Sequence, residues 1–185
     1  MPLITLAEVK SWLGIVDSSE DALLTAICGA VDAFVKKYCH REFESATRTE
    51  KYHGTGSHEL LLQEYPVTEI FSIKINDVEE SLSDYDVDKE VGVLYSKVGK
   101  IPRGIYNVEV KYIGGYTEQD LPADLKMGLY LAAESLYRRY KDRAVGLESQ
   151  TISDWSRNYA GLLDGFPREA LSFIDRYRTP NPLAV

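Results

Sequence analysis

The chain is poor in the residues from which most active sites are built. It has 3 histidines and 2 cysteines among 185 residues. His53 and His58 flank a glycine-bearing turn and could approach Glu59, but two histidines and one carboxylate lack a recognised metal-ligand pattern. The turn alone accounts for that segment. Cys28 and Cys39 fall on one predicted helix, roughly 16 Å apart along its axis, which is beyond disulfide reach. Two reduced, packed thiols are expected. Cys39 and His40 are adjacent, so their side chains diverge on a helix and make no catalytic pair. No Gly-x-Ser-x-Gly nucleophile motif occurs, and Gly54-Thr55-Gly56 lacks the lysine and hydroxyl residue of a phosphate loop. Asp84, Asp86 and Asp88 alternate as in a calcium loop, yet the following glycine and closing glutamate are missing. A solvated strand edge explains the run. No stretch approaches the roughly 18 apolar residues of a membrane span, and the N-terminal residues show no secretory pattern. The expectation is a cytoplasmic, non-enzymatic protein with no catalytic residue, no cofactor, no metal site and no membrane.

The charge balance narrows the partners. Against 29 acidic residues stand 21 basic ones, a net charge of -8. Such a surface repels a phosphate backbone, whose binding depends on Lys and Arg displacing counterions. Arg138, Arg139, Lys141 and Arg143 form the densest basic cluster, read as a solvated helix end. With 44% hydrophobic and 27% charged residues, the chain can bury one elaborated domain or two small lobes.

Periodicity then orders the chain. Thr5 and Glu8 make a capping box before Leu6, Val9, Trp12 and Leu13, and Gly14 is a stop. A second helix is expected from Ser18 or Ser19, with Leu23, Ile27, Ala30, Val31, Phe34, Val35 and Tyr38 as its apolar stripe. Ala22, Ala26, Gly29, Ala30 and Ala33 leave room for a neighbouring helix. From Arg48 the texture is strand-like. A hairpin is expected between Arg48–Tyr52 and Leu60–Leu62, followed by Ile70–Ile75 with an Asn76-Asp77 turn, then Tyr85–Val87, Val91–Tyr95 and Asn107–Tyr112. Strands without intervening helices favour an antiparallel meander or small barrel. Pro122 opens a third helix that should return to the first pair, and Pro167 opens a last one. Between them, residues 144–166 lose periodicity and are read as a flexible loop.

The 13 tyrosines suit core edges and interfaces alike. Trp155, beside Arg157 and Tyr159 in a polar segment, fits either a partner anchor or intrachain packing.

Taken together, Ile4–Lys10, Tyr38–Phe43, Tyr52–Gly56 with Leu60–Leu62 and Pro66-Val67, Val108–Tyr112, Gly114–Tyr116 and Pro122–Leu125 stand in an order that resembles the head-to-tail connector, or head-completion adaptor, proteins of long-tailed bacteriophages and prophages. The similarity runs from about Ile4 to Arg178. It implies an α+β fold: a helical bundle of an N-terminal helix pair plus two C-terminal helices, residues 1–43 and 117–178, carrying a central antiparallel β-rich insertion, residues 44–116. The loop is 144–166 and an extended tail is 179–185.

The resemblance also implies a ring of twelve subunits under the portal at the capsid vertex, joining it to a neck-stopper or tail-completion protein. DNA would pass through the channel without specific binding. Portal contact maps onto Arg176, Tyr177, Arg178 and the tail, and the loop with Trp155, Arg157 and Tyr159 is expected to order on assembly. The strand-rich lobe would meet the next ring or neighbouring subunits. The rivals are a neck-stopper or tail-completion protein, which would be more purely β, and a small metal-dependent hydrolase.

Overall fold

Thr5 starts helix α1 (Leu6–Leu13) through the capping box that its spacing predicts. Its hydroxyl accepts the Glu8 N–H, and the Glu8 carboxylate accepts the Thr5 N–H at 2.8 Å. Gly14 ends the helix at φ 70°, a left-handed conformation that suits glycine. The structure is a computed structural model describing residues 2–142, 149–152, 155–158, 162–163 and 166–179.

Helix α2 (Asp21–Cys39) begins later than expected. The Asp17 carboxylate takes both the Ser19 N–H and its hydroxyl, so Ser19 is used in a local turn and Glu20 holds the cap position with no side-chain bond to the helix's first N–H groups. The buried seam is Leu24, Ile27, Cys28, Val31, Val35 and Cys39. Ala30 is exposed, as are Ala22, Ala26, Gly29 and Ala33. The row of small residues therefore faces solvent instead of receiving a helix, because the seam of larger side chains lies on another side of the cylinder. Neither cysteine is in a disulfide, and both are buried.

Helix α3 (Ala123–Lys141) packs on α1 and α2, and helix α4 (Arg168–Ile174) packs on α3. Pro122 and Pro167 each stand just before their helix. Gly128 permits the closest approach: a Cβ there would meet Ala170 O, Ile174 Cγ1 and Phe173 Cβ at 3.0 Å each. Leu24, Val31, Leu125, Leu129 and Ile174 fill the interior of this helical unit, which comprises Met1–His40 and Leu121–Val185.

The second unit is Arg41–Asp120, the β lobe. Its strands are β1 (Ala46–Gly54), β2 (Glu59–Leu61), β3 (Val67–Ile75), β4 (Val78–Glu79), β5 (Tyr85–Asp88), β6 (Val93–Ser96) and β7 (Gly104–Gly114). They form two antiparallel sheets, ordered β1-β7-β3-β4 and β2-β6-β5. The hairpin expected between Arg48–Tyr52 and Leu60–Leu62 is absent. Glu50 lies opposite Val110 and Leu60 opposite Leu94, so residues 55–58 carry the chain from one sheet to the other. The long β7, with Val108, Val110 and Tyr112 fully buried, outcompetes a three-residue strand as partner for β1. The Asn76-Asp77 turn does form as expected, with φ of 51° and 63°, joining β3 to β4. Residues of both sheets, among them Leu60, Tyr85 and Leu94 from one and Ile73, Val108 and Val110 from the other, make one core.

The segment expected to be a loop carries backbone pairing in its described residues. Strand β8 (Ser149–Ile152) pairs antiparallel with β9 (Trp155–Asn158), and β10 (Leu162–Leu163) with β11 (Phe166–Pro167). Thr151, Ile152 and Trp155 are residues that favour strands, a signal masked by the surrounding serines and glycines. The rest of 144–166, and 180–185 of the tail, lie outside the described residues.

Candidate functional site

The C-terminal candidates sit on a single 3₁₀ turn, Asp175–Tyr177, and the residues after it. Tyr177 donates its hydroxyl to the Asp124 carboxylate, and Arg176 Nη1 lies 3.5 Å from the other Asp124 oxygen. The Tyr177 hydrogen bond, chiefly, holds the Asp124 carboxyl below its usual range despite partial burial. Arg178 lies over the Tyr38 ring at 5.0 Å and reaches Asp175 at 4.0 Å, while Tyr38 donates to Asp175 at 3.0 Å. Burial and then that bond push the Tyr38 hydroxyl up.

Thr179 fixes where the tail leaves. It is buried, its N–H donates to Cys39 O at 3.0 Å, and its hydroxyl is 2.9 Å from Cys39 O and 3.3 Å from His40 O. These are carbonyls at the end of α2, which have no partner inside the helix. The predicted trio is thus divided. Tyr177 bonds inward to α3, whereas the Arg176 and Arg178 side chains are 66% and 49% exposed. Trp155 and Arg157 stand on β9, opposite Ile152 and Gln150. Tyr159 lies outside the described residues.

The weaker sequence candidates resolve into local structure. His53 and His58 share no hairpin; His53 Nδ1 accepts the Tyr106 N–H at 3.1 Å. Asp86 accepts the N–H of Val87, and Asp88 those of Glu90 and Val91. Among the described residues, no three His, Cys, Asp or Glu side chains gather to hold a metal, and no helix is long and apolar enough to cross a membrane. In the basic helix end, Lys141 and Tyr137 bond Glu20 and hold its carboxyl low, and Arg138 pairs with Glu134 at 2.6 Å. Arg143 lies outside the described residues.

One cluster escaped the sequence reading. Arg41, with no exposed side-chain surface, lies over the rings of Tyr65, Phe43 and Tyr116 at 3.8, 4.6 and 5.6 Å. It donates to Tyr65 O and lies 3.8 Å from the Glu64 carboxylate, whose other oxygen accepts the Glu42 N–H at 2.9 Å. Nearby, Tyr116 donates to Phe43 O and Ser45 to Tyr116 O, joining the chain entering the lobe to the chain leaving it. Burial raises the Glu64 pKa, outweighing the lowering by the Glu42 N–H and Arg41. Its parts are scattered over some 75 positions in no period, so only the fold assembles them.

The chain is thus an α+β protein: a helical unit built from both ends of the sequence, a β insertion between, and a C-terminal segment bonded to the end of α2. Residues 2–179 match the head completion protein family, and the chain belongs to that family. Two solved structures share the fold. One is a chain from the neck of an empty GTA particle computed with C6 symmetry, at 16% identity and a TM-score of 0.61, covering 99% of this chain and 93% of that one. The other is a chain from the virion of a native gene transfer agent particle, at 15% identity and a TM-score of 0.58 with the same coverages. Among curated proteins no sequence matches.

Proposed function

We propose that the chain is a structural, non-enzymatic subunit of the neck of a phage or phage-like particle, forming a ring that joins the portal to the tail or the next neck protein. The observation that carries this reading is the family match over nearly the whole chain. The likeness to the chain from the GTA neck supports it at the level of fold. A net charge of -8 suits a channel that passes DNA without holding it. The ring has twelve subunits in the virion, and the protein waits in the host cytoplasm during assembly. The helical unit forms the ring body, and Arg176, Arg178 and the residues beyond 179 engage the portal together with Trp155, Arg157 and Tyr159. The four helices among the described residues weigh against the mostly β stopper reading.

Light scattering on the protein alone and mixed with the portal from the same genome tests the ring. A ring-sized species in either condition is expected; a monomer that ignores the portal overturns the reading. For the portal contact, removal of 180–185 combined with Arg176→Ala and Arg178→Ala retains Tyr177 and Thr179, which hold the fold. Loss of the ring from portal-containing capsids is expected, and normal occupancy defeats that assignment.

A further inference from the structure

We propose that neighbouring copies of this chain join through the β lobe, with Ile105 and Tyr106 of one copy entering a cavity between β3 and β5 of the next. The inference rests on the ring reading above and names the residues that close the ring.

Ile105 and Tyr106 stand at the start of β7, beside the end of β1, at the opposite end of the lobe from the Glu44–Tyr116 bridge. They are 83% and 54% exposed, which nothing in the lobe's own packing requires. Tyr106 has φ 51°, a left-handed conformation costly for a bulky residue. The conformation is held on several sides. The Tyr106 N–H donates to His53, the two rings lie 4.2 Å apart, and the Asn107 amide accepts the Gly54 N–H at 2.9 Å and donates to Pro102 O at 3.1 Å. The result is an apolar knob fixed before any partner arrives, which lowers the ordering cost of binding.

The chain just before the knob and through it, residues 98–108, has no acidic residue and carries two exposed cations, Lys100 and Arg103, in a molecule of net charge -8. Arg103 Nε donates to Thr55 O at 3.1 Å, beside the end of β1. The occupied surface should therefore be acidic at its rim and apolar inside.

The same lobe offers such a surface elsewhere. A cavity of ≈ 210 Å³ is lined by Ile70, Ile73, Leu82, Tyr85, Val87 and Leu94, with Glu69 and Asp86 among its polar lining. Asp84, Asp88 and Glu90 continue the acidic segment beside it. Two cations stand there, each bonded to a backbone carbonyl: Lys89 in the lining to Thr68 O at 2.9 Å, and Lys97, beside the lip, to Ser83 O at 3.3 Å. Leu82 at the lip is 43% exposed. Knob and cavity are different patches of one chain, so their contact is heterologous and repeats head to tail, the geometry that generates rings.

Two exposed-site variants test this without touching the core: Ile105→Asp breaks the knob, and Leu82→Arg breaks the cavity. Circular dichroism melts of both should match the wild type. Under the condition in which the wild type forms rings, alone or with portal, each variant should need about 30-fold more protein for half assembly, the effect of losing an interface hot spot. An equimolar mixture retains one intact knob and one intact cavity, so it should stop at a heterodimer. Ring formation by either folded variant at wild-type concentration, or full rings from the mixture, overturns the inference while leaving the ring reading in place. A wild type that never assembles removes both.

Discussion

The two units are held by opposite kinds of polar chemistry. In the helical unit, ionic contacts lie toward the surface: Lys126 with Glu8 at 3.1 Å, Lys141 with Glu20, and Tyr177 and Arg176 with Asp124. In the β lobe, the chain entering at Arg41 is tied to Glu64 by a buried ion pair among three aromatic rings. Surface pairs gain little and lose little when cut. A buried pair stabilises weakly as a pair, but its halves are costly alone. The lobe base is therefore the more fragile point, although its net contribution need not be larger.

The largest effect should come from Arg41→Ala. It leaves Glu64 buried without its counter-charge and should cost about 3–5 kcal/mol in urea unfolding of the lobe. Arg41 Nε, Arg41 Nη1 and Glu64 Oε2 already lack hydrogen-bond partners, so the native pair is incompletely satisfied. Accordingly, Arg41→Met with Glu64→Leu should recover most of the loss. A double variant as unstable as the single one would show that the aromatic cage, and not the charge pair, is what matters.

Next is Thr179→Val, which keeps the shape but removes a hydroxyl from two carbonyls at the end of α2. About 1–3 kcal/mol should be lost, read by faster amide exchange at the end of α2 and in Asp175–Tyr177. Thr5→Ala should cost about 1 kcal/mol, because it deletes one half of the capping box while the helix retains its packing. Equal exchange rates throughout α1 in that variant would mean that docking alone sets the helix start.

These sites also show what the sequence made legible. Thr5, Gly14, Asn76-Asp77 and Pro122 act through neighbours a few residues away, so their meaning is local and was readable. The pairing of β1 with β7 joins residues fifty or more positions apart, and a glycine-rich turn suggested a nearer partner. The row of small residues on α2 satisfied helical spacing yet faced solvent, since periodicity identifies a face without saying what covers it. Of the candidate site, the sequence named Arg176, Tyr177 and Arg178 as candidates. It did not reveal that Tyr177 and Thr179 are bound inward while Arg176 and Arg178 point out, a division set by Asp124 and the end of α2.

The smallest expected effect is also the one that separates the units by sign. Glu8 is subject first to burial, which raises its pKa, but hydrogen bonds from Thr5 and Lys126 prevail and lower it; Asp124 is lowered chiefly by Tyr177. A lowered carboxyl contributes stability above its unfolded pKa, near 4.5 for Glu8 and 3.8 for Asp124, and loses it as pH falls through the folded value. Glu64 is raised by burial, so the folded lobe binds its proton more tightly than the unfolded chain does. It should gain stability as pH falls through the raised value toward 4.5, and gain nothing further below. The half-buried Glu109, lowered chiefly by Lys74, follows the helical unit's sign, so the contrast is confined to pH above 4.5. Both tryptophans, Trp12 and Trp155, belong to the helical unit, and their fluorescence reports it separately from amide exchange in β3 and β7. As pH falls from 7 toward 4.5 the protection of the lobe's amides, taken relative to their intrinsic exchange at each pH, should rise while the tryptophan signal holds steady; below about 4.5 the tryptophan transition should move to lower urea. In Glu64→Gln that rise in protection should vanish, and its persistence would assign the effect to another group in the lobe.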